Sequence, residues 1–243
     1  MPVEDDHLAA LIAIREGDVE RLRALLAEHP DLPVWMLGVP GRGRRPLHAV
    51  TDWPGYFPNA PQIAELLLAA GADVDWRGPD GTGETALHWT ASSDDAAVAR
   101  VLIDAGADIE APAGSIGTPL DNAVGYGCWN VARLLVERGA RVDKLWQASA
   151  LGLLDRLQEL LAAHPTQGEI DQALWHACAG GQRRAAELLV ARGADLRFTP
   201  EYGYGTLLDV ASSHGTQRSN VIEWLERLGV RRVGEESGSD DRA

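Results

Sequence analysis

A short motif returns along this chain at a nearly fixed interval, and that recurrence limits the fold more than any other feature does. Thr85-Ala86-Leu87-His88 and Thr118-Pro119-Leu120-Asp121 lie 33 residues apart, and weaker copies stand at Arg45-Pro46-Leu47-His48 and Thr206-Leu207-Leu208-Asp209. A second marker recurs out of phase with the first. Gly71-Ala72-Asp73, Gly106-Ala107-Asp108, Gly139-Ala140-Arg141 and Gly193-Ala194-Asp195 each follow a Leu-rich segment, at intervals of 35, 33 and 54 residues. The longest interval holds one shortened unit, Leu145 to Pro165, and one of ordinary length.

Each unit reads as two helices. A Thr such as Thr85 or Thr118 can cap the free N–H groups of a first helix, a contribution of about 1 kcal/mol. Pro119 suits the first helical turn, where its missing N–H is no loss. The first helix is expected to end at Gly127, Gly152, Gly181 or Gly215, where glycine permits a left-handed C-cap. The second carries apolar pairs, Leu134-Leu135 or Leu188-Leu189, and stops at Gly139 or Gly193. Neither helix can bury its apolar face alone; stability is a sum of unit terms and nearest-neighbour terms.

The segments "ETALHWTA", "GTPLDNAVGYGCWNVARLLVERGARVD" and "LLLAAGADVD" resemble the ankyrin-repeat family almost position by position, over roughly residues 7–233. The resemblance implies an all-α ankyrin-repeat solenoid of about seven helix–turn–helix repeats with short β-hairpin loops. Residues 1–233 would form one domain, with units beginning near His7, Arg45, Thr85, Thr118, Leu145, Ile170 and Thr206. Several units depart from the pattern. The first, with helices over His7–Glu16 and Asp18–Ala27, lacks the tetrapeptide, as an end cap can. The first and fifth units end in His29-Pro30 and His164-Pro165, where proline stops the helix. The second is enlarged by Trp53 to Pro61, which must bulge as a loop. Residues 234–243 read as an acidic disordered tail.

A net charge of −14 argues against duplex nucleic acid, whose binding rests on Lys and Arg contacts to phosphate. All but one of the 22 basic residues are Arg, the exception being Lys144; this bias is typical of a GC-rich bacterial genome. Cys128 and Cys178 match neither a disulfide framework nor a zinc spacing. The acidic start from Met1 to Leu11 has no secretory apolar core, and no apolar run approaches a membrane span. The expectation is a cytoplasmic, monomeric protein.

No catalytic set, cofactor site or metal site is expected. The resemblance makes His48 and His88 structural, bonded to the capping Thr and nearby backbone, with Asp121 and Asp209 as local hydrogen-bonding replacements. His29 and His164 should lie on the surface, while His176 and His214 could face the concave side. Asp94 and Asp95 open a second helix, where carboxylates favour the dipole. Gly78 to Thr85 has P-loop spacing, but Glu84 stands where a Lys is needed and would repel phosphate. Gly203-Tyr204-Gly205 lacks a third glycine.

The remaining signal is aromatic. The chain has eight Trp, four Tyr and two Phe, and Trp, Tyr and Arg dominate interface energetics. The family pattern places Asp52, Trp53, Trp76, Arg77, Trp89, Tyr126, Tyr202, Tyr204 and His214 along one concave groove, with Ser92 and Ser93 nearby. The expected partner is another protein, held there without catalysis. The alternative is a small-molecule binder or atypical enzyme, with a pocket under the enlarged second repeat and Asp52, His176 or His214 as its acid–base group. The isolated cluster Arg42, Arg44 and Arg45 could meet a carboxylate-rich partner or pair with the protein's own acidic surface; the second is expected.

Overall fold

The computed structural model describes residues 2–38, 43–78, 81, 83–112, 114–213 and 218–234, with side chains from residue 6 onward. Two compact units, Met1–Arg141 and Val142–Ala243, are described in turn.

In the first unit the helices come in four pairs: α1 (Pro2–Glu16) with α2 (Val19–Glu28), α3 (Pro46–Val50) with α4 (Ala60–Ala69), α5 (Ala86–Ser93) with α6 (Ala96–Asp104), and α7 (Pro119–Gly125) with α8 (Trp129–Glu137). First helices pack on first helices, α1 on α3, α3 on α5 and α5 on α7. Second helices do the same, α2 on α4, α4 on α6 and α6 on α8. The apolar pairs seen in the sequence are what this stacking buries: Leu22, Ile63, Leu67, Leu87, Leu102, Leu120 and Leu135 are all essentially inaccessible. A 3-10 turn, Leu32–Val34, leads into the long connection before α3.

The capping chemistry follows the sequence closely. The hydroxyl of Thr85 accepts from the His88 N–H, and the ring of His88 accepts in return from the Thr85 N–H. Thr118 with Asp121 and Thr206 with Asp209 form the same reciprocal box through a carboxylate. The turns between paired helices need a left-handed residue, supplied by Gly17, Gly127, Gly152 and Gly181, but by Asp94 (φ 60°) between α5 and α6.

Asp94 ends α5 in that left-handed conformation rather than opening α6, and its side chain serves the next pair. Its carboxylate accepts from the N–H groups of Asn130 and Val131, at 2.9 and 3.0 Å, and from the Asn130 amide at 2.8 Å, so it caps α8 in the next pair. Asp95 caps α6 through the Val98 N–H at 3.1 Å. Further carboxylates tie consecutive loops together, Asp75 accepting from the Asp108 N–H and Glu110 from the Arg141 N–H.

The loops before the first helices carry one β-bridge among the described residues, Leu37 with Arg44. Other tips close by single bonds, such as Gly83 N–H to the Arg77 carbonyl. They are turns in extended chain more than ladders. The enlarged connection of the second pair does bulge out, as its length demanded. The Asn59 amide anchors it to the Gly17 carbonyl at 2.9 Å, and the Tyr56 N–H anchors it to Asp95 at 3.2 Å.

The second unit contains α9 (Leu145–Leu151) with α10 (Leu154–Leu161), α11 (Gln167–Gly180) with α12 (Arg183–Ala191), and α13 (Leu207–Ser212) with α14 (Ser219–Arg227). Its core runs through Leu157, Leu174, Cys178, Leu189, Leu207 and Leu225. The helix α11 begins three residues before the expected Ile170, because Thr166 and Glu169 form a capping box. It meets α9 so closely that a β-carbon on Gly180 would lie 2.1 Å from the Ala150 carbonyl oxygen.

Candidate functional site

Three of the expected groove residues come together in the first unit. Asp52, Trp53 and Trp89 line a cleft of about 190 Å³ with Arg44, Thr51, Glu84, Ser92 and Ser93. Trp53, at the start of the bulged loop, is 80% exposed. It is the largest apolar side chain the cleft offers to solvent.

Asp52 organises one wall. Its Oδ1 accepts from the Trp53 N–H at 3.0 Å. Its Oδ2 takes two guanidinium groups at once, Arg15 from α1 at 3.2 Å and Arg44 from the connection before α3. Arg44 also lies over the Trp89 ring, 5.1 Å from its centroid, and Arg45 lies over Trp76 at 4.6 Å. The cluster thus turns inward, onto the protein's own carboxylate and aromatics; Arg42 lies outside the described residues. Arg15 had no local signal in the sequence. It reaches Asp52 across 37 positions, a pairing that only the stacking of α1 on α3 creates.

Behind this wall His48 is buried edge-on between Trp76 and Trp89, with ring centroids 5.1 and 5.0 Å away. Its Nε2 meets the Glu84 carbonyl oxygen at 3.0 Å. Burial, reinforced by the charges of Arg44 and Arg45, holds its pKa below the ordinary histidine range. His88 is bonded likewise to the Gly117 carbonyl and the Thr85 hydroxyl. Both histidines therefore serve the frame. His48 is the less satisfied, because Arg45 replaces the threonine and leaves His48 Nδ1 and Arg45 Nε buried without a hydrogen-bond partner.

The other expected residues divide. Trp76 and Trp89 are partly buried through their contacts with His48 and the arginines. Arg77 is spent on backbone carbonyls, donating to Gly83 at 3.0 Å and to Pro112, and so ties two loops together. Tyr126 is half exposed, its hydroxyl 2.9 Å from Ser115 Oγ. Burial pushes the Glu84 carboxyl up, but the Ser115 N–H and Asn122 amide outweigh it and leave the group below its usual range.

In the second unit Tyr204 is 91% exposed. Tyr202 receives a bond from the Gln172 amide at 2.8 Å and sits 3.0 Å from His176 Nε2. His176 is not a free surface group: it is 6% exposed and packed on Trp146 at 5.0 Å, and burial lowers its pKa to about 4. His214 lies outside the described residues. Among the described residues no group of three His, Cys, Asp or Glu is placed to hold a metal, and no helix is long and apolar enough to cross a membrane.

A family model for ankyrin repeats, in three copies, matches residues 56–144, across the capped helices just described. The chain is an ankyrin-repeat protein. The resemblance read from its tetrapeptides is therefore the right one. An ankyrin repeat and KH domain-containing protein of Caenorhabditis briggsae is 30% identical to it over 207 residues, 80% of this chain and 7% of the relative. Human ankyrin repeat and SOCS box protein 16 is 39% identical over 141 residues, 42% of this chain and 30% of the relative. The solved ankyrin repeat domain of human ASB11 matches with a TM-score of 0.53 at 21% identity, over 88% of this chain and 96% of that one; that likeness concerns the fold. The chain spans under a third of each of these two curated relatives. Ankyrin repeats generally act as modules that bind other proteins.

Proposed function

We propose that this ankyrin-repeat protein captures another protein non-catalytically, through the Trp53 face of its first unit. The observation that carries this reading is Trp53 itself: an indole 80% exposed beside a cleft walled by Trp89, Arg44 and Asp52. Aromatic and Arg anchors of this kind dominate interface energetics. Isolated apolar exposure is common on proteins, but this Trp borders a cleft that Trp89 also lines. Tyr202 and Tyr204 offer a second exposed aromatic pair in the second unit. The other parts of the proposal are a monomer in a bacterial cytoplasm, seven helix pairs acting as seven repeats of one domain over residues 1–233, and no role in binding nucleic acid.

The test is capture from source-cell extract by wild-type protein and by Trp53→Ala, with thermal melts alongside. Trp53 contributes little to the core, so its loss should leave the melt within about 0.5 kcal/mol of wild type and abolish capture. Retained capture would move the site away from this face. Trp76 is unsuitable for this purpose, since its removal would also strip His48 and Arg45 of their packing.

The small-molecule reading has less support. Ligand pockets run to roughly 300–1,000 Å³, and this cleft offers about 190 Å³. Its nearest imidazole, His48, is buried behind the wall.

A further inference from the structure

We propose that the Trp53 cleft takes a basic segment of its partner, with an arginine laid over the Trp53 indole. This deepens the proposed function and rests on it. Several indoles of this chain are covered by its own cations. Arg44 lies over Trp89 at 5.1 Å, Arg45 over Trp76 at 4.6 Å and Lys144 over Trp146 at 5.5 Å. A tryptophan ring attracts a cation through its quadrupole, more strongly than Tyr or Phe does. Among the described residues no cation lies over Trp53, although it is 80% exposed.

Arg44 shows how this cleft holds a guanidinium. The Trp89 ring takes its face and the Asp52 carboxylate takes its charge. Trp53 and Glu84 line the same cleft and offer a second combination of indole and carboxylate. Both hydrogen bonds to Glu84 come from neutral donors, the Ser115 N–H and the Asn122 amide, and both fall on Oε1.

The charge balance has the matching sign. The lining carries one cation, Arg44, against two carboxylates, Asp52 and Glu84. Asp94 and Asp95 follow the lining residue Ser93, and their bonds come from backbone N–H groups and an amide. Arg15 stands outside the lining and is spent on Asp52. The cleft is thus locally acidic, on a chain whose net charge is −14. Arg44 fills the side of Trp89 and Asp52, so an incoming arginine is confined to the side of Trp53. There its planar guanidinium would stack on the indole and direct N–H groups to Glu84. An acidic segment would be repelled.

The probes are three labelled synthetic peptides, identical except for a central Arg–Arg, Gln–Gln or Glu–Glu pair, titrated by fluorescence anisotropy at low and physiological salt. The Arg–Arg peptide should bind best, and weaken as salt rises. Trp53→Ala should weaken it by about fivefold, the size of a cation–π contact. Glu84→Gln keeps an oxygen for Ser115 and Asn122 but removes the charge, and should weaken it by about threefold. Glu137→Gln removes the same charge from the end of α8 and should have little effect, which separates the cleft from the pull of the whole acidic chain. Thermal melts of the three variants check that each is folded. Equal losses from Glu84→Gln and Glu137→Gln, binding indifferent to Trp53→Ala, preference for the Glu–Glu peptide, or no Arg–Arg binding would each overturn the inference. If Trp53→Ala abolishes capture from extract while the Arg–Arg peptide fails to bind, the basic chemistry falls and the protein-binding face stands. Capture that survives Trp53→Ala removes both.

Discussion

Arg45→Thr should make this protein more stable, although it removes a cation–π contact. The backbone at Arg45 (φ −67°, ψ 156°) matches that at Thr85 (−78°, 166°) and Thr118 (−71°, 167°). A threonine therefore fits without rearrangement. In α5 that geometry lets the Thr85 hydroxyl meet both the His88 N–H and His88 Nδ1. In α3 no side chain caps the helix, and His48 Nδ1 and Arg45 Nε are buried without partners. Restoring the cap is worth about 1 kcal/mol, and satisfying the buried ring nitrogen about 1 kcal/mol or more. Losing Arg45 from Trp76 costs about 0.5–1 kcal/mol. The balance is a gain of about 1 kcal/mol, or a Tm higher by about 2–4 °C. Arg45→Ala loses the same stacking and restores nothing, so it should be less stable than wild type. Calorimetric melts of the two variants isolate the hydroxyl, and His48→Ala should cost more beside Arg45→Thr than in wild type. If Arg45→Thr is no more stable than Arg45→Ala, the argument from the orphaned nitrogen fails.

Three other outcomes follow from the structure. Burial holds His176 at about 4, below its unfolded value of about 6.5. The unfolded chain then binds more protons in acid, and the stability His176 contributes is complete above about pH 6.5 and falls as pH drops toward 4. Between pH 7 and pH 5 this amounts to about 2 kcal/mol; urea unfolding of wild type and His176→Gln at both values should show the flatter dependence in the variant. Asp94→Ala loses the cap on α8, about 1–2 kcal/mol, and keeps a β-carbon in the left-handed region. Asp94→Gly loses the same cap but relieves that left-handed β-carbon, and should melt higher than the alanine variant. Gly180→Ala drives a methyl into the Ala150 carbonyl, and its chemical denaturation midpoint should fall by the equivalent of about 1–3 kcal/mol.

Much of this was legible in the chain because repeat chemistry is local. The tetrapeptide fixes where a helix starts: a hydroxyl at the cap and an acceptor three residues later satisfy each other within one turn. The starts expected near Arg45, Thr85, Thr118, Leu145 and Thr206 stand within a residue of α3, α5, α7, α9 and α13. Two helices start earlier than the repeat pattern suggests. The helix α1 runs back to Pro2, where no tetrapeptide marks it, and Thr166 with Glu169 sets α11 by a box that looks unlike its neighbours.

The site was legible only in its residue types. Asp52, Trp53 and Trp89 do share a cleft, but nothing local says which aromatic is offered to solvent and which is packed. That depends on partners many residues away. Trp76 and Trp89 are drawn onto His48, Arg77 onto the next loop, and His176 under Tyr202. Trp53, with no such partner, stays exposed. By itself the sequence determined the helix pairs, their caps and the family, since those rest on contacts within a few residues. Only the tertiary structure brought Arg15 beside Arg44 on one oxygen of Asp52, because α1 must pack on α3 before two distant arginines can compete for the same carboxylate.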